Sequence, residues 1–168
     1  MKAANERPKL KPELTRFDRI LEYAGWLGLL IVWLYTLINY AGLPDTIPVH
    51  FNITGEADRF GDKSNILILP VVATVIFIAL TYLNKFPHKF NYPVRITEGN
   101  ALTQYTFATR LVRTVKTLIV LIFGLIIYRT IQTAHGIAEG FGVWFLIAVL
   151  APFFLLLPYF LYKALKNK

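Results

Sequence analysis

Long apolar windows alternate with short polar ones along this chain, and that alternation predicts most of its architecture. Apolar runs occupy residues 23–41, 66–83, 111–133 and 141–162. Each approaches or exceeds the roughly 20 residues that an α-helix needs to cross a hydrocarbon layer. The pattern therefore predicts an all-α membrane protein with four transmembrane helices. Before the first window, Leu14, Phe17, Ile20, Leu21 and Ala24 recur at helical spacing, with Arg16, Asp18, Arg19 and Glu22 opposite them. This reads as an amphipathic lead-in lying at the interface, opened by Pro12 and Glu13 after a loose basic tail. Pro70 sits in the first turns of the second helix, where a lost hydrogen bond matters least. Helical spacing resumes near Thr97 or Asn100 and runs through Leu102, Tyr105 and Val112 to about Thr133, so the third helix protrudes beyond its span. Gly136, Gly140 and Gly142 form a short turn, and Pro152 and Pro158 predict a bend in the fourth helix.

Composition supports a membrane class. Of 168 residues 55% are hydrophobic and only 17% charged, whereas a soluble domain carries about a quarter charged. The length sets the expectation of one integral-membrane domain over residues 1–168. The polar first 22 residues are unlike a secretory leader. Cysteine is absent, which excludes disulfides, thiolate metal sites and a cysteine nucleophile. The formal charge of +8 suits cytoplasmic loops rather than nucleic acid. The N-terminal segment nets +2, residues 43–65 net −2, the connection from 84 nets +5 when counted to Lys116, and the C-terminus nets +3. Both termini and the connection, residues 84–110, are thus expected in the cytoplasm, with residues 43–65 outside. Tyr92, Val94 and Ile96 alternate with polar neighbours and are expected to pack under the helix ends, with Thr97 or Asn100 capping the third helix.

The 43–65 loop concentrates Pro44, Asp45, Pro48, His50, Asn52, Thr54, Gly55, Glu56, Asp58, Gly61 and Asp62, more chemistry than a plain connection requires. Three readings are open. A divalent cation could be held by the alternating oxygens, with His50, Asp58 and Asp62 as candidate ligands, although the spacing departs from a calcium loop. Local turn chemistry would have Asn52 and Asp58 bonding nearby backbone, His50 bonded to backbone, and Gly55 and Gly61 at positive φ. A ligand surface is the third. His50 with Glu56 or Asp58 could serve as acid and base, but Ser64 is the loop's one serine and no His-Glu-x-x-His occurs. With Arg113 and Lys116 counted in the basic connection and Arg129 at the outer end, Asn39, Thr74, Thr81 and Thr117 are the notable polar residues left within the spans, which is read as arguing against transport. Arg129, just beyond the third span on the outer side, is expected to contact a loop acid or carbonyl.

Leu43-Pro44, Ile47-Pro48, His50-Phe51-Asn52, Gly55, Asp58 and Lys63 together resemble the signature of a bacterial integral-membrane domain of unknown function, one that also forms the N-terminal part of SdpI-type immunity proteins. Phe90 to Thr97, with Asn100 and Tyr105, resembles stand-alone versions of that domain. The likeness covers roughly residues 20–115. It implies an integral-membrane protein and leaves the activity open; SdpI itself is longer, binds a secreted toxic peptide and signals to a repressor. The combined expectation is a bacterial cytoplasmic-membrane binding protein, a sensor, immunity factor or accessory subunit. It would use His50, Asn52, Gly55, Glu56 and Asp58 of an ordered outward loop, together with Arg129, to recognise a peptide or a membrane-protein partner. A membrane enzyme using His50 and the loop carboxylates is the alternative.

Overall fold

The computed structural model describes residues 7–168. It contains helices α1 (Arg16–Tyr40), α2 (Ile68–Leu83), α3 (Ala101–Ala134) and α4 (Trp144–Lys166), together with strands β1 (Thr46–Phe51) and β2 (Ala57–Asp62). A 3-10 turn, Lys63–Leu67, leads into α2, and another, Pro87–Lys89, follows it. The four helical segments Arg16–Tyr40, Lys63–Leu83, Ala101–Ala134 and Trp144–Lys166 are long and apolar enough to cross a membrane. The all-α expectation needs one correction. The 43–65 loop is a two-stranded antiparallel hairpin, in which β1 pairs with β2 and the buried Ile47 and Pro48 turn one end of β1 toward the helices.

α1 begins at Arg16, not at Pro12. Thr15 and Asp18 form a reciprocal cap: Asp18 N donates to Thr15 Oγ1 (3.3 Å) and Thr15 N to Asp18 Oδ2 (3.0 Å). Lead-in and span are one continuous helix, and the two acids of the lead-in turn inward while Arg16 and Arg19 stay exposed. Asp18 is buried, while Phe17 and Ile20 are exposed. Gly25, Leu29, Val32 and Thr36, spaced at one helical face, form the buried stripe below it. A Cβ on Gly25 would stand 2.6 Å from the Phe77 ring of α2, so glycine is what lets that ring in. Trp26 meets the same ring edge-on at 4.8 Å.

α3 is the central element and packs against α1, α2, α4 and β1. Val120, Ile127 and Ile131 on α3 join Leu29, Val32, Ile47, Ile66, Ala73 and Phe77 in one core. Threonines along the spans return their hydroxyls to the carbonyl four residues back, as in Thr36 to Val32 (2.7 Å) and Thr81 to Phe77 (2.8 Å), which satisfies each hydroxyl within its own helix. α4 is one continuous helix through Pro152 and Pro158 and buries only Phe160 and Ala164.

At the end opposite the hairpin, the tail is strapped down from Arg7 onward rather than loose; residues 1–6 lie outside the described residues. Arg7 donates to the carbonyls of His88 (3.2 Å) and Phe90 (2.5 Å), and the buried Tyr105 hydroxyl donates to Pro8 O (2.9 Å). Tyr92, Val94 and Ile96 are half-buried between exposed neighbours, as their alternation predicts. Burial pushes the Tyr92 phenol above its ordinary value, and its hydroxyl donates to Pro87 O (2.8 Å). Asn100 stands at the start of α3 without a side-chain bond into the helix, while Thr97 Oγ1 accepts from Asn100 N (3.3 Å) and Thr97 O from Ala101 N (2.9 Å). Asn100 Oδ1 accepts from Thr97 N (2.9 Å), which turns the chain into the helix from outside.

Candidate functional site

The hairpin is built from its foot upward. Leu43, Ile47 and Ile66 are nearly fully buried and anchor it to the helix ends. The strands pair Thr46 with Asp62, Ile47 with Gly61, Pro48 with Phe60, His50 with Arg59 and Phe51 with Ala57, with irregularities on either side of His50. Such bulges re-aim side chains. Here His50 and Asp58 come together, with Nδ1 and Oδ1 2.6 Å apart and side chains 55% and 43% exposed. His50 is thus held by a carboxylate and not by backbone.

The tip is organised by Asn52. Its Oδ1 accepts from Thr54 N (3.0 Å), Thr54 Oγ1 (2.6 Å) and Glu56 N (3.0 Å), the backbone-mimicking geometry of an Asx turn. Glu56 Oε2 accepts from Asn52 Nδ2 (3.2 Å) and Thr54 Oγ1 (3.1 Å). Gly55 takes φ +85°, the left-handed region that favours glycine, whereas Gly61 lies within β2 without a positive φ.

The turn between α3 and α4 then closes on this tip. Glu56 and Gly140 form a bridge, and Phe141 N donates to Gly55 O (2.7 Å). A Cβ on Gly55 would lie 2.5 Å from Gly142 N, so the two backbones are in direct contact. Phe141, 3% exposed, fills the seam between Phe51 (4.2 Å) and Phe145 (4.3 Å). On the α3 side His135 Nε2 lies 3.2 Å from Gly42 O.

Arg129 donates to the Gly140 carbonyl, so its partner belongs to the second turn and is none of the four loop acids. Its guanidinium carbon stands 6.0 Å over the Trp144 ring, and Nε is buried without a partner. Thr54, Gly55, Glu56, Arg129, Glu139, Gly140, Phe141, Gly142 and Trp144 line a cavity of about 360 Å³. Three of the expected site residues, Gly55, Glu56 and Arg129, meet there. His50 and Asp58 pair elsewhere on the ribbon. Asp62 is separate again, at the hairpin foot. Hydrogen bonding by Ser64, first through its side chain and then through its backbone N–H (2.8 Å), holds the Asp62 carboxyl below the ordinary range. His50, Asp58 and Asp62 therefore do not converge, and among the described residues no three His or acidic groups cluster as a cation would require. Glu139, Gly140, Gly142 and Trp144 were missed in the sequence, where the glycines between 136 and 142 announced only a turn.

A second polar constellation, also missed, lies inside the bundle. Asp18 accepts from Arg110 Nε (2.8 Å) and Nη2 (3.0 Å). Glu22 accepts from Arg113 Nε (3.1 Å) and Lys116 Nζ (2.6 Å). Lys116 is fully buried; it also donates to Thr81 Oγ1 (2.8 Å) and lies 4.4 Å over the Phe77 ring. The signal was available. Asp18 and Glu22 stand four residues apart, and Arg110, Arg113 and Lys116 stand three apart, so each set shares a helix face.

Four spanning helices, a hairpin cap and an internal ion network define a multi-pass membrane protein. Residues 27–74, which run from α1 through the hairpin into α2, match the model of a domain of unknown function (DUF1648). An uncharacterized protein of Archaeoglobus fulgidus is 36% identical over 88 residues, 48% of this chain and 48% of its own. The chain thus spans about half the length of that curated relative. No solved structure matches.

Proposed function

We propose that the chain is a single integral-membrane binding protein of SdpI-like type, acting as a sensor, immunity factor or accessory subunit through its hairpin cap. In this reading the hairpin faces outward from a cytoplasmic membrane, and both termini and residues 84–110 lie in the cytoplasm. Residues 27–74, with their match to a domain of unknown function, supply the cap and most of the helix it stands on. One observation carries the reading. The hairpin tip is locked backbone to backbone onto the second turn, and the seam holds a cavity with Arg129 and Glu56 in its wall. A preorganised polar hollow on a rigid scaffold is what recognition requires. The competing enzyme reading has one observation in its favour, the His50–Asp58 pair at 2.6 Å. That pair resembles a base with its orienting acid, but both side chains are about half exposed, without the dry surroundings that strengthen such chemistry.

The test is native mass spectrometry of the full chain released from its own membrane. A bound species is expected, and Gly140→Val, which forces the α3–α4 turn off the hairpin tip, should lose it while Glu98→Gln retains it. A wild-type protein that carries nothing, or a species held equally by Gly140→Val, would overturn the reading.

A further inference from the structure

The cavity at the cap seam has an unusual charge pattern for its size. Its wall carries one guanidinium, Arg129, and two carboxylates, Glu56 and Glu139. None of the three makes an ion pair among the described residues. Arg129 uses one of its five N–H donors on Gly140 O, and its Nε has no partner. Glu56 receives its two hydrogen bonds on Oε2 alone, and Glu139 is exposed. A simple anion in this hollow would meet two carboxylates, and a simple cation would meet the guanidinium. A group that carries both charges a few atoms apart satisfies every wall.

Position selects the source of that group. Arg129 lies five residues before the end of α3, and Trp144 is the first residue of α4. The cavity therefore sits where two spanning helices leave the apolar layer, at the depth where Trp and long cationic side chains meet lipid headgroups. Its volume of about 360 Å³ falls at the lower end of the roughly 300–1,000 Å³ range of small-ligand sites, adequate for a headgroup and too small for a folded partner.

We propose that this cavity seats the zwitterionic headgroup of a phospholipid bearing a primary ammonium, its phosphate against Arg129 and its ammonium against Glu56 and Glu139. The proposal rests on the cap-binding reading and names the chemical class that the cap takes. It holds for whichever leaflet lies on the hairpin's side. A guanidinium suits phosphate through paired donors, and an ammonium offers three donors to the two acids.

The test titrates the full chain in detergent with phosphatidylethanolamine, phosphatidylglycerol or soluble O-phosphoethanolamine, and counts bound molecules by native mass spectrometry. Phosphatidylethanolamine should bind about tenfold tighter than phosphatidylglycerol, since one charge-assisted contact is worth about that factor. Glu56→Gln with Glu139→Gln should bring the two lipids to parity. Arg129→Gln should weaken both, and Arg129→Lys should restore part of the loss. Glu139 is exposed, so Glu139→Gln alone keeps the test valid should the double variant misfold. Equal binding of phosphatidylglycerol by the wild type would mean a plain anion site and overturn the proposal. Binding of O-phosphoethanolamine without either lipid would overturn it in favour of a free zwitterion. Both results leave the cap-binding reading standing. That reading fails separately, when Gly140→Val keeps whatever the native protein carries.

Discussion

Replacing Glu22 by leucine tests the internal ion network directly. Glu22 accepts from Lys116 at 2.6 Å and from Arg113 at 3.1 Å. The leucine variant leaves a fully buried ammonium with only Thr81 Oγ1 and the Phe77 ring beside it. Breaking one side of a buried pair costs about 3–5 kcal/mol, because the remaining charge is uncompensated. Two features place this case near the lower bound. Glu22 is itself 21% exposed, and Arg113 keeps Asp18 at 3.9 Å. A loss of about 3 kcal/mol corresponds to about 6–12 °C in melting temperature for a chain of this length. Adding Lys116→Met removes the stranded charge, and buried pairs exchanged for apolar residues of similar volume are often neutral. The double variant should therefore melt above Glu22→Leu alone, with a coupling of about 2 kcal/mol in the cycle. The assay is thermal unfolding in one fixed detergent, followed by tryptophan emission. Strictly additive losses would refute the reasoning, since they would mean that Glu22 and Lys116 do not share an interaction.

Two further outcomes follow from local geometry. Thr15→Ala should cost about 1 kcal/mol by removing the acceptor for Asp18 N, and Thr15→Ser should recover it; unchanged melting of the alanine variant would refute the cap. Because the chain has no cysteine, single cysteines report topology cleanly. Ile53→Cys, at a site 82% exposed on the hairpin tip, should react with an impermeant maleimide on intact cells, and Glu98→Cys should react only after permeabilisation. The reverse pattern would invert the orientation.

The helices were legible because a spanning helix writes its signal along one continuous stretch. All four windows became helices, and the alternation at Tyr92, Val94 and Ile96 became half-burial. The lead-in was misread for a physical reason. In water, an amphipathic face with Asp18 and Glu22 turns outward. In a lipid-facing bundle Phe17 and Ile20 can be exposed, and the acids turn inward to meet Arg110, Arg113 and Lys116. Periodicity gives the stripe and not its direction. Thr81 and Lys116, read separately as a polar residue of a span and a charge of the connection, lie on different helices and meet only through packing. The hairpin stayed hidden because Pro48 and the irregularities beside His50 interrupt strand alternation. The cavity depends on a contact between Gly55 and the turn at Gly140–Gly142, some 85 residues away, which no local pattern encodes.

α3 has 34 residues, about 51 Å at 1.5 Å each, against about 30 Å of hydrocarbon. One end carries Arg129 under the cap, and the other carries Gln104 and Tyr105, which hold Ala164 O, Asn167 O and Pro8 O. An unbroken helix behaves as a stiff lever. A tilt of about 5° about its middle displaces each end by about 2 Å, close to the margin between a made and a broken hydrogen bond. Both ends of the described chain are therefore tied to the far arm of the lever whose near arm touches the cap.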